Sequence, residues 1–348
     1  MKKLRIISAL TVLILLLSAC AKPKAPTPPP ETEEAPPVET KPVGFINQLT
    51  GEYSLETEAQ TKLRPVALSV NNQLKSPQRV QTGLENADII YESYIEGGIT
   101  RLLAVYKDIS KIGEIGTIRS ARYNFVDLAN GDDALYVHAG LDPTYCQPYM
   151  QRLGLDNKNL LLGKYYGYAY RLDNGLALEH TLYIKGESIA KMIVDHSIRA
   201  TVKDTHAGNW QNFNQSAQPL PDGTANKITA CFSGDYTSVF NYDSATDSYI
   251  KENHKDWRSG KNLSVKNVVV LFTNVTMFEN GYRVNIHLDG GDGYYFSNGT
   301  FQQIKWSKGA TDARLKFTDA NGTPIAYNPG NSWVCIINNG MKYKFSKE

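Results

Sequence analysis

The stretch from Ala87 to Arg122, ADIIYESYIEGGITRLLAVYKDISKIGEIGTIRSAR, decides how the chain folds. Apolar runs flank Gly97-Gly98, which predicts a strand over Asp88 to Ile95, a two-residue turn at the glycines and an antiparallel return over Ile99 to Tyr106. Two carboxylates, Glu92 and Glu96, and three guanidinium groups, Arg101, Arg119 and Arg122, lie among these residues. Charged side chains are seldom buried unless paired or used, so this density predicts a cleft, an ion-pair network or both.

Toward the C-terminus, Ser120 is placed to cap a helix that carries Ala121, Phe125 and Leu128 on one face and stops at Asn130-Gly131. Arg119 and Arg122 flank its start, where backbone N–H groups favour an anion. Equally, they can brace the fold by pairing with Glu92, Glu96 or Asp127. A strand over Asp133 to Ala139, a helix from Asp142-Pro143 to Gly154, a strand over Leu178 to Tyr183 and a helix over Glu187 to Ser197 follow. On the other side, Val66, Leu68 and Val70 alternate as a strand, and Lys75 to Gly83 reads as a loop.

From Lys227 the pattern is strands alone, including the apolar run Asn267 to Asn274, Tyr282 to Leu288, Thr323 to Tyr327 and Trp333 to Ile337. The fold class is therefore α+β: a mixed α+β domain over residues 46–205, then a β-rich, mostly antiparallel domain over 226–348. The polar stretch 200–225 is the boundary, although strands on either side can share one sheet.

The N-terminus predicts an address. Lys2, Lys3 and Arg5 precede an apolar run too short to span a bilayer, which ends in Leu17-Ser18-Ala19-Cys20. Residues 1–20 read as a lipoprotein signal, with Cys20 the lipid-modified mature N-terminus. Residues 21–45, rich in Pro and Glu, lack the apolar surface to offset ordering entropy and read as a disordered tether. An extracytoplasmic, membrane-anchored protein is expected.

A formal net charge of +2, spread over both signs, leaves no basic stripe for nucleic acid. Cys146, Cys231 and Cys335 permit at most one disulfide and show no zinc spacing; His138, His180, His206 and His254 are scattered, so neither a metal nor a cofactor is expected. The 21 tyrosines suit sugar rings or half-buried strand positions alike.

The segments RPVALSVNN, ADIIYESYIEGGITRLLAVY, IGTIRSAR with FVDLA, DALYVHAG, the run from NHKDWRSG to NVVVLF, GYYFSNG and NPGNSWV occur in this order. With them the chain resembles the YerB-like lipoprotein family of Gram-positive bacteria, described by two consecutive domains of unknown function. The family pattern often has proline where this chain has Tyr123, Glu179 and Asn253. The resemblance implies an envelope lipoprotein with a two-part fold and carries no established reaction.

Residues four apart on a strand lie roughly 13 Å apart, too far for a two-carboxylate glycosidase pair. One acid acting alone fits a lytic transglycosylase, which would cleave peptidoglycan glycan strands with Glu96 as the acid and Glu92 as second choice. Arg101, Arg119 and Arg122 would orient it or bind a peptide-stem carboxylate, with Asp127, His180, His254 and Asp256 in support. The alternative is a non-catalytic envelope module that binds a wall polymer or a protein partner.

Overall fold

A computed structural model describes residues 43–73, 80–234 and 236–348. The signal, Cys20, almost all of the tether, and positions 74–79 of the expected loop lie outside the described residues. The alternating segment forms strand β1 (Val66–Asn71), and the hairpin forms β2 (Ile89–Tyr94) and β3 (Thr100–Tyr106). Its connection is longer than two glycines: the Ile95 N–H donates to the Ile99 carbonyl at 2.9 Å, closing a loop that holds a 3-10 turn over Glu96–Gly98. Gly97 and Gly98 take φ of 77° and 76°, a region open to residues without a Cβ. Glu96 therefore leaves the strand, and the 13 Å spacing does not apply to it.

Seven further strands complete one ten-stranded sheet: β4 (Leu135–His138), β5 (Asn157–Asn159), β6 (Asn267–Thr273), β7 (Gly290–Ser297), β8 (Thr300–Ser307), β9 (Lys316–Thr318) and β10 (Ser332–Asn338). Their order is β9-β8-β7-β6-β10-β2-β3-β1-β4-β5, so strands from both stretches of sequence join in one sheet. The junction is β10, parallel to β6 on one side and to β2 on the other, with Cys335 opposite Glu92. Pairing within the C-terminal stretch is mostly antiparallel, β6–β10 being parallel.

Both sheet faces are covered, which explains the unbroken apolar run of β6. Val268, Val270 and Phe272 enter one core with Ile90, Leu102 and Trp333, beneath a five-stranded antiparallel sheet that contributes Ile228, Phe240 and Tyr249. Val269 and Leu271 enter the other with Tyr91, Leu103 and Tyr136. That second face is closed by helices α1 (Tyr123–Gly131), through Phe125 and Leu128, and α2 (Cys146–Leu153), through Tyr149 and Met150. A third helix, α3 (Gly186–Asp195), packs Ile189 and Met192 into the first core.

Three boundaries differ from expectation. Helix α1 is capped at Arg122, not Ser120, because residues 119–121 still pair as extended chain: Ala139 N–H bonds the Arg119 carbonyl and Ala121 N–H the Gly140 carbonyl. Helix α2 starts at Cys146 because the Asp142 carboxylate accepts the Tyr145 and Cys146 N–H groups, at 2.7 and 3.2 Å, and holds a preceding turn. Leu178–His180 is a 3-10 turn, with the strand following at Leu182–Lys185. The expected strand at Thr323 to Tyr327 is reduced to isolated bridges around Pro324, which has no N–H to give a ladder.

Candidate functional site

Glu96 sits at the exit of the hairpin, 8% exposed, against the start of α1. Arg122 holds it with two donors, Nε to Oε2 at 2.8 Å and Nη2 to Oε1, and Arg283 Nη1 adds a third to Oε1 at 2.5 Å. Arg283 Nε in turn reaches Asp142 Oδ1 at 3.1 Å. Burial acts to raise the Glu96 pKa, but the Arg122 hydrogen bonds and charge, with Arg283 behind them, outweigh it and leave the carboxyl below its ordinary value. Its ground state is a clamped carboxylate.

Glu92 lies on the first core's face of the sheet and is 0% exposed. Asn72 Nδ2 and Thr100 Oγ1 donate to Oε1 at 2.7 and 2.8 Å, and Ser238 Oγ and Trp333 Nε1 to Oε2 at 2.8 and 2.9 Å. Lys251 Nζ donates to Ser238 Oγ at 2.8 Å. The network ties the small sheet to the large one through a carboxyl that is wholly buried.

The remaining arginines converge on residues 119–120. Arg101 is 1% exposed, with Nη1 on the Ser120 carbonyl at 3.0 Å and Nε without a partner among the described residues. Burial, then the charges of Arg122 and Arg119, lower its pKa well below the usual value. Arg119 Nη1 donates to the Glu179 carbonyl at 3.1 Å and to His180 Nδ1 at 3.2 Å. Accepting at Nδ1 leaves His180 with its proton on Nε2, and burial together with Arg119 lowers its pKa.

Other expected members stand apart. Asp127 accepts the Tyr149 hydroxyl at 2.6 Å on α1 and pairs with neither Arg119 nor Arg122. His254 is buried against Trp333 on the opposite face of the sheet. Asp256 accepts the N–H groups of Gly83, Arg258 and Ser259 and closes a turn. Cys146, Cys231 and Cys335 are free thiols, and no metal-binding cluster of His, Cys, Asp or Glu occurs among the described residues. Sequence reading missed Arg283, Asp142 and Arg171. Arg283 immediately precedes a short strand, Val284–Ile286, and no local signal announces a partner so distant in the chain.

Beside this cluster lies a pocket of about 400 Å³ whose polar lining is amide: Gln147, Gln151, Asn157 and Asn159, with Met150 and Leu162 as apolar walls. A second, of about 240 Å³, is lined by Arg119, Ser120, Ala139, Leu161, Arg171 and the 178–182 turn. The two adjoin at Ala139–Gly140 and Leu161–Leu162.

These features define an α+β protein whose central sheet runs through two consecutive sequence segments, with arginine-braced carboxylates where helix and hairpin meet. The chain belongs to the YerB-like family: the family described as "Protein of unknown function (DUF3048) N-terminal domain" matches residues 49–199 and its C-terminal counterpart residues 228–334. It is 27% identical over 355 residues to the Bacillus subtilis (strain 168) protein described as "Putative lipoprotein YerB", covering 97% of this chain and 96% of that one. The crystal structure of the YerB protein from Bacillus subtilis superposes with a TM-score of 0.70, over 84% of this chain and 96% of that chain.

Proposed function

We propose that the protein is an extracytoplasmic lipoprotein, anchored through Cys20, that binds a cell-wall polymer rather than cutting it. The state of Glu96 carries this reading. A lytic transglycosylase acid must be protonated to release its leaving group, so its pKa should lie near the working pH. Glu96 is held the other way, below the ordinary value, by Arg122 and Arg283. Glu92, sealed beneath the small sheet, touches no cleft. The amide-lined pocket supports binding: neutral amides pair with hydroxyl and acetamido groups, and the Gln147 and Gln151 side chains make no hydrogen bond among the described residues. The anchor rests on the N-terminal sequence, and the lipoprotein description of the relative agrees with it. No helix among the described residues is long and apolar enough to cross a membrane.

A second reading, docking of an envelope protein, is favoured by Leu161, Leu162 and Leu178, which are 46, 52 and 67% exposed around the pockets. Co-sedimentation of the purified chain with peptidoglycan, followed by mass spectrometry of the soluble fraction, tests both the binding and the cutting. The chain is expected in the pellet, with no anhydro-sugar ends released. Anhydro ends that vanish in Glu96→Gln would restore the transglycosylase.

A further inference from the structure

The smaller pocket holds two guanidinium groups whose charge is not spent. Arg171 Nη1 donates to the Leu178 carbonyl at 2.6 Å and to Thr181 Oγ1 at 3.0 Å, while Arg119 Nη1 holds the Glu179 carbonyl and His180 Nδ1. Each arginine is thus fixed to the 178–181 turn through one nitrogen. Among the described residues the Nε and Nη2 atoms of both make no hydrogen bond, and no carboxylate lies within 4 Å of either. That Nε–Nη2 edge is the one a guanidinium presents to two oxygens of a carboxylate or phosphate.

The surroundings reinforce the excess. Arg101 lies against the Ser120 carbonyl behind the pocket, fully buried, with its Nε unpartnered. The nearest buried carboxylate, Glu96, is already occupied by Arg122 and Arg283. Glu179, the carboxylate among the lining residues, is exposed and acts on Arg119 only as a nearby charge, with its backbone carbonyl rather than its side chain hydrogen-bonded to it. His180 contributes no positive charge, since it accepts from Arg119.

We propose that the Arg119–Arg171 pocket is an oxyanion subsite, which takes a carboxylate or phosphate group borne by a ligand whose neutral part occupies the adjoining amide-lined pocket. This rests on the binding reading above and names the chemistry of its ligand. Two wall components share that chemistry, the carboxylates of peptide stems and the phosphodiesters of anionic polymers.

Isothermal titration of the full chain with muramyl dipeptide, glycerol 3-phosphate and neutral chitobiose distinguishes them. At least one anionic probe should bind more tightly than chitobiose, and inorganic phosphate should compete with it. Arg119→Gln and Arg171→Gln should each weaken that probe at least tenfold while leaving the thermal midpoint close to that of the parent. Arg119→Lys should recover only part of the loss, because an ammonium keeps the charge and not the paired donors. Preference for muramyl dipeptide assigns a carboxylate, and preference for glycerol 3-phosphate a phosphate. Binding of neither anion, or binding indifferent to both glutamine variants, overturns the subsite. Should one variant fail to fold, the other and the phosphate competition on the parent chain still decide it. Co-sedimentation with peptidoglycan judges the wider reading separately, so a chain that pellets without binding either anion refutes only the subsite.

Discussion

Arg283 and Glu96, 187 residues apart in the sequence, meet at 2.5 Å, and through them the C-terminal stretch is tied to the exit of the N-terminal hairpin. Arg122 completes the clamp, with its side chain 14% exposed against 26% for Arg283. One carboxylate therefore serves two guanidinium groups from separate parts of the chain.

Removing the better buried partner should cost more. Arg122→Ala is expected to destabilise by about 3 kcal/mol, since it strands a mostly buried carboxylate, and Arg283→Ala by less. Urea unfolding of Arg122→Ala, Arg283→Ala, Glu96→Ala and the Arg122→Ala/Glu96→Ala double variant measures the coupling. The folded Glu96 pKa lies below its unfolded value of 4.5, so its contribution is full above that value and fades as pH falls through the folded one. The Arg122→Ala penalty should shrink in acid. A penalty that is flat with pH contradicts the clamp.

Glu92→Gln replaces one acceptor oxygen by a donor among four donors. Whichever way the amide turns, its NH₂ faces one N–H that can only donate, Asn72 Nδ2 or Trp333 Nε1, and one hydroxyl that must give up its donated bond. A loss of about 2–4 kcal/mol is expected from the unsatisfied buried groups, read as a lower urea midpoint. Trp333→Phe, which removes one donor and keeps most of the apolar volume, should cost less.

Asp132, fully buried, accepts the Tyr91 hydroxyl at 2.9 Å, and burial raises its pKa from 3.8 to about 6. The folded state then holds a proton that the unfolded state releases earlier. The associated stability is present below pH 3.8 and is lost as pH rises through about 6, a change of about 3 kcal/mol at most. Asp132→Asn lacks this titration, so the gap between variant and parent should move in favour of the variant from pH 4 to pH 7. A constant gap in unfolding free energy over that range would refute the assignment.

Gly186 opens α3 where a Cβ would stand 2.0 Å from the Ile109 carbonyl oxygen and 2.4 Å from that of Ile112. Both contacts are backbone, with no flexible side-chain end to give way. Gly186→Ala should cost about 3 kcal/mol through overpacking, and the thermal midpoint should fall by several degrees. An unchanged midpoint would show that the 109–112 turn yields freely.

The hairpin, the alternating strands and the α+β class were legible because each depends on residues close together in sequence. Side-chain period and the glycines at 97–98 carry that information locally. The boundary at Ser120 shifted through contacts with residues 139 and 140, which no local pattern reports, whereas the one at Asp142 shifted through that residue's own carboxylate. Glu92, Glu96 and the arginines were recognisable as charges too dense for an apolar stretch. Which of them would pair was not, because the partners Ser238, Trp333 and Arg283 lie far along the chain.

The sequence by itself determined the periodicity of the strands, the family and the burial of a charged cluster within residues 87–122. Only the tertiary structure decided that β10 is inserted between β6 and β2. That insertion brings Trp333 onto Glu92 and makes one carboxylate a sealed brace, while Glu96, on a turn at the other side, becomes a clamped ion. The physical reason is that strand pairing and desolvation depend on which surfaces meet, and in this chain the surfaces that meet come from its two ends.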